Sequence, residues 1–129
     1  MVSGDESFEL AAAGLRGDGA ELATSVEVLA AKLEQALPGR TRVERRGAGL
    51  LGRGERRVRQ MSVELGSNRY QLAVEGGHIE GFRERQVGGI AIKREPLPPQ
   101  DWIRALTEDL RAEAERSSQA RDALEKLLG

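Results

Sequence analysis

Thirteen residues, RRGAGLLGRGERR from Arg45 to Arg57, gather most of the groups in this chain that could do chemistry. Gly47, Gly49 and Gly52 spell a literal G-x-G-x-x-G, the spacing with which a tight turn cradles a pyrophosphate. Arg45, Arg46, Arg53, Arg56 and Arg57 enclose it and could neutralise phosphates or carboxylates. Between them lie Leu50 and Leu51, which could enter a membrane interface while the cations meet anionic headgroups.

A dinucleotide cradle demands a buried apolar strand before the glycines and a helix after them, whose N-terminus receives the pyrophosphate. The stretch ahead, RTRVERR, is too charged for a central parallel strand, and RGERRVRQMSVEL behind it turns into a strand. No cofactor is expected. Nucleic acid would use the same arginines on phosphates, but no aromatic side chain interleaves them for base stacking. The isoelectric point of about 5.9 is also far below that of typical nucleic-acid modules. A membrane surface or a protein partner accounts for the leucines as well as the arginines. A solvated hairpin loop, or one whose leucines fold back on the core, would need neither.

Elsewhere the chemistry is sparse. Arg16–Asp18 spells RGD, read here as coincidence because Asp18 suits a helix cap. His78, the one histidine, sits beside a glycine turn and is expected to be exposed rather than a general base. With no cysteine there is no thiol nucleophile, disulfide or Cys-based zinc site. Glu108, Asp109, Glu113 and Glu115 lie along a helix that needs a polar face anyway. No catalytic, metal or cofactor residue is nominated.

The elements that would hold the arginine-rich stretch are easier to read. Leu22, Val26, Leu29, Leu33 and Ala36 recur at steps of four and three, predicting a helix over 18–37 that Pro38-Gly39 stops. Asp18 and Glu21 have capping-box spacing. Residues 1–17 read as a shorter helix or an arm. Residues 40–94 read as an antiparallel sheet. Met61, Val63 and Leu65 alternate with polar residues, as do Tyr70, Leu72 and Val74 after a turn at Gly66-Ser67-Asn68. Val58 is out of phase with Met61, which predicts a bulge near Arg59-Gln60. RTRVERR, anchored by Val43 alone, would be an edge strand, and Gly88-Gly89 either bends one strand or separates two.

A last helix is expected over 99–128, with Pro99 at its first position and Asp101 in its first turn. Ile103, Leu106, Leu110, Leu124 and Leu127 share a phase, but Glu113 and Ser117 interrupt it. Unbroken, the helix would be about 45 Å long. It either breaks near Ser117-Ser118 or projects to pair with a second copy through Leu106, Leu110, Leu124 and Leu127.

Charge is segregated although the net is −1. Residues 38–95 carry thirteen basic against seven acidic side chains, while both flanks are acidic. Arginine abundance alone is weak evidence, since Lys32, Lys93 and Lys126 are the only lysines, a bias that a GC-rich bacterial genome imposes. The chain has no apolar run of the roughly 20 residues that span a bilayer. The start MVSGDESFEL lacks the features of a secretory signal. A cytoplasmic location, with a peripheral membrane contact as an option, is expected.

Together these readings predict one α+β domain over residues 1–129. Its parts are an N-terminal helix, an antiparallel β-meander of four to five strands and a long C-terminal helix, with helices on one sheet face. In element order this resembles small dimeric helix–sheet–helix proteins such as the YbaB nucleoid-associated family and the type III secretion chaperones. That resemblance implies binding rather than catalysis. The expected function is a non-enzymatic, homodimeric interaction or adaptor module. It would dock a protein partner or an anionic membrane surface through Arg45, Arg46, Leu50, Leu51, Arg53, Arg56 and Arg57. The alternatives are a nucleoid-associated DNA binder using the same arginines and an enzyme with an unrecognised carboxylate site.

Overall fold

The computed structural model describes residues 4–15, 19–47, 56–75 and 77–128. Helices α1 (Gly4–Gly14) and α2 (Gly19–Ala36) come first, followed by strands β1 (Thr41–Gly47), β2 (Arg56–Leu65), β3 (Asn68–Glu75), β4 (His78–Val87) and β5 (Ile90–Leu97). Helices α3 (Pro99–Ala114) and α4 (Ser118–Leu128) close the chain. The RGD tripeptide and the expected cap at Asp18 include residues outside the described ones, as do Leu50, Leu51 and Arg53.

All five strands are antiparallel and lie in the order of the sequence, so β1 and β5 are the edges. The predicted bulge is present. Glu44 pairs with Gln60 and Arg45 with Val58, which leaves Arg59 as the extra residue on β2. That extra residue restores Val58 to the phase of Met61, Val63 and Leu65, and all four are buried. The β2–β3 turn is two residues long, Leu65 pairing with Asn68. Gly88-Gly89 separates two strands, and both glycines have positive φ (60° and 80°), as a tight hairpin turn requires.

One sheet face is apolar and covered by helices, and the other is polar. Val63, Tyr70 and Leu72 are fully buried, while Gln60, Glu64 and Glu75 of the opposite phase are exposed. Helices α2 and α3 lie on the sheet, and α1 and α4 pack mainly against other helices. The expected stripe of α2 is the buried one: Leu22, Val26, Leu29, Leu33 and Ala36 are each at most 5% exposed. Thr41 Oγ1 donates to the Leu33 carbonyl at 3.2 Å and so ties the start of β1 to the end of α2.

The centre of the core is Trp102, fully buried, with its ring edge-on to Tyr70. It reaches the sheet because position 81 has no side chain. A Cβ at Gly81 would lie 2.8 Å from the Leu97 carbonyl oxygen and 2.9 Å from Trp102 Cδ1. Gly81→Ala is therefore expected to cost about 1–3 kcal/mol by overpacking, and Gly81→Val more. Denaturant melts check this, and an unchanged midpoint for Gly81→Val would contradict the packing described.

The C-terminal helix breaks. The first segment ends at Glu115, and Ser117 Oγ accepts a hydrogen bond from the Ala120 amide at 3.3 Å, acting as a cap for the second. Folding back buries Ala120, Ala123 and Leu127 against α1, α2 and α3. This corrects the expectation of a seam left for a second copy. Leu106, Leu110 and Leu127 are fully buried within one chain, and Leu124 packs against the same core. Glu113, the polar interruption in that seam, is satisfied by Arg40, whose guanidinium lies 3.0 Å from its carboxylate.

Candidate functional site

The β1–β2 ribbon carries the described part of the arginine-rich stretch. Its register sets Arg46 directly opposite Arg57, with Gly47 opposite Arg56. Side chains of a strand alternate between faces, so Arg45 follows Val43 toward the helices while Arg42, Glu44 and Arg46 face away from them. Like charges placed directly opposite are destabilising in a sheet, so the Arg46–Arg57 pair does nothing for the fold.

Arg45 is set apart from its neighbours. Its guanidinium reaches across to α2, 2.9 Å from Glu34 and 3.8 Å from Glu27. The hydrogen bond it donates to Glu34 holds it more firmly in the charged form, against a smaller opposing effect of burial. It is a clamp between sheet and helix. The signal was in the sequence: Arg45 lies two residues beyond Val43, on the same face.

The other arginines of the β1–β2 ribbon differ from Arg69, Arg83 and Arg94 farther across the sheet. Arg69 sits between Glu64 at 2.8 Å and Glu84 at 3.8 Å, forming a row of alternating charge across the open face. Arg83 binds Glu95, whose carboxyl it holds below the usual carboxylate range. Arg94 lies 4.0 Å from the centre of the Phe82 ring. By contrast Arg42, Arg57 and Arg59 are exposed and have no ion-pair partner among the described residues. Arg46, 69% exposed, has only Glu44 at 3.5 Å. The nomination from sequence missed Arg42 and Arg59. Arg42 could have been found from its phase, four residues before Arg46 on the same face.

Of the seven nominated residues, the structure brings Arg46 and Arg57 together and turns Arg45 away. Arg56 takes its place in β2, and its side chain lies outside what is described, as do Leu50, Leu51 and Arg53. Among the described residues, strand β2 is the element that follows the glycine stretch, where the fingerprint requires a helix.

Other polar groups have structural duties. Tyr70 donates to Asp109 Oδ2 at 2.8 Å and Asn68 donates to the same oxygen at 2.9 Å, fastening α3 to the sheet. Burial first, and then Asp109, raise the Tyr70 pKa, so the phenol stays protonated as a donor. His78 opens β4, exposed and opposite Glu75. An open depression between α2 and α4 is lined by Gln35, Asp122, Glu125 and Lys126. Among the described residues no group of His, Asp and Glu could hold a metal ion, and no helix is long and apolar enough to cross a membrane.

No family model matches the chain, and no curated protein or solved structure aligns significantly with it.

Proposed function

We propose that the protein is a non-enzymatic docking module whose β1–β2 end receives an anionic surface, on a protein partner or on a membrane. One observation carries this reading. Arg46, Arg57 and Arg59 stand exposed and largely unneutralised together at the β1–β2 end of the sheet, with Arg42 on the outer face of β1 about 13 Å back along the strand, whereas Arg40, Arg45, Arg69 and Arg83 are ion-paired within the fold. Cations that repel one another across a ribbon gain most from a counter-surface supplied from outside. Because the helix leucines are used internally, the proposal requires no second copy.

Duplex DNA is the second reading, favoured by one feature: opposed arginines on a two-stranded antiparallel ribbon match the way β-ribbons enter a groove. Four phosphate contacts would give a log–log salt slope of about −3.6.

The test is binding of fluorescent polyglutamate, of vesicles containing phosphatidylglycerol and of duplex DNA to wild type and to Arg46→Glu/Arg57→Glu. A cation near an anionic surface is worth roughly 1 kcal/mol, so reversing two should weaken binding at least about 30-fold. Equal binding of every probe by the variant would remove the reading, and loss confined to DNA with the slope above would select the second one.

A further inference from the structure

The apolar surface left exposed is concentrated at one place. Among the described residues the exposed large hydrophobics are Leu10, Val28, Val87, Ile90 and Ile92, and three of the five fall within six residues at the tip of the β4–β5 hairpin. They are 56%, 68% and 58% exposed, respectively, around the Gly88-Gly89 turn. Scattered single aliphatics on a surface need no explanation, but a contiguous group on a projecting tip does. Behind them Arg85 stands directly opposite Lys93, both exposed, again a like-charge pair that the fold does not need.

We infer that this hairpin tip is a membrane-interface anchor for an anionic phospholipid surface. The dimensions fit. Val87 and Ile90 form the last cross-strand pair, two residues beyond Arg85 on β4. At about 3.3 Å per residue this places the aliphatic pair about 7 Å ahead of the cations. That is the depth to which apolar faces enter the headgroup–acyl boundary, with basic residues left at the level of the phosphates. The three aliphatics are spread around the tip, two in a cross-strand pair and Ile92 as the extra residue of a β5 bulge. Such a distribution suits a fluid apolar medium better than a partner's pocket.

A second copy pairing along the β5 edge fits less well. Lys93, Pro96 and the bulge at Ile92 all lie in that strand, and each is a device that blocks strand addition. The anchor stands on residues separate from the arginines of the β1–β2 end and does not rest on them. Arg46 and Arg57 lie at the opposite end of the sheet from the hairpin tip, about 30 Å away along the strands. With the tip on a bilayer, the β1–β2 end would face away from it and be free for a protein partner.

The test is co-sedimentation with vesicles of phosphatidylcholine alone and of phosphatidylcholine with phosphatidylglycerol. The wild type is expected to bind the second and to bind the first at least about tenfold more weakly. The triple variant Val87→Ser/Ile90→Ser/Ile92→Ser should lose at least about tenfold in vesicle binding and keep its polyglutamate binding. Arg85→Glu/Lys93→Glu should lose about 25-fold or more, at roughly fivefold for each cation removed. In Ile90→Trp the added indole should shift to the blue and be quenched by brominated lipid, while Trp102, the chain's own tryptophan, is buried. Unaltered melting temperatures for these exposed positions establish that the fold is intact. The anchor is overturned if the wild type binds neither vesicle, or if the triple variant binds as the wild type does. Vesicle binding lost in Arg46→Glu/Arg57→Glu but retained in the triple variant would also overturn it, and would return the membrane to the β1–β2 end.

Discussion

Trp102→Ala is expected to lower the unfolding free energy by about 3–5 kcal/mol, the usual cost of truncating a large buried aromatic. Trp102 is fully buried, meets Tyr70 at a centroid distance of 6.1 Å, and rests on the bare backbone at Gly81. It stands near the start of α3 and holds that helix against β4 and β5, so its loss should loosen the helix that Tyr70 and Asn68 fasten through Asp109. Trp102→Phe should cost markedly less. The indole Nε1 is buried without a hydrogen-bond partner among the described residues, so phenylalanine gives up volume but also removes a donor unsatisfied there. Equilibrium denaturation of the three proteins measures both costs. Equal losses for Ala and Phe would show that the ring does not fill the site as described.

Leu127→Ala should cost about 2–5 kcal/mol, although it lies near the end of the chain, where truncation is ordinarily tolerated. The reason is the break at Glu115–Ser117, which returns α4 to the body of the molecule and leaves Leu127 with no exposed surface. Residues buried within one chain should give a denaturation midpoint that does not move with protein concentration. Measuring wild type and Leu127→Ala at concentrations a hundredfold apart checks this. A midpoint that rises with concentration in the wild type and not in the variant would mean that Leu127 is covered by a second copy after all.

Much of this fold could be read from the sequence because its signals are local. The stripe on α2 has an uninterrupted helical period, and the bulge at Arg59 follows from the phase difference between Val58 and Met61. Three features were not legible, each for a long-range reason. Glu113 reads as a flaw in a helix seam until Arg40, 73 residues earlier, is placed beside it. Gly81 reads as an ordinary strand glycine until Trp102 lies on it. The break after Glu115 was one of two outcomes that the pattern allowed, and what decided it was the cover that α1, α2 and α3 offer to Ala120, Ala123 and Leu127. Beta-sheet pairing separates two neighbours of the candidate site in the same way. Arginines adjacent in sequence need not share a face. Arg45 turns to Glu34, and the neighbour Arg46 gains is Arg57 across the ribbon.

The claim that the unneutralised arginines of the β1–β2 end form a docking surface is tested most directly by mapping where an acidic chain binds. Backbone amide shifts would be followed by heteronuclear NMR while polyglutamate is titrated into the intact protein. The expected perturbations fall on residues 42–47 and 56–60, leaving Arg69, Arg83 and Arg94 unmoved because their charges are already matched by Glu64, Glu84, Glu95 and the Phe82 ring. Shifts spread evenly over every arginine of the sheet, or none at the β1–β2 end, would contradict it.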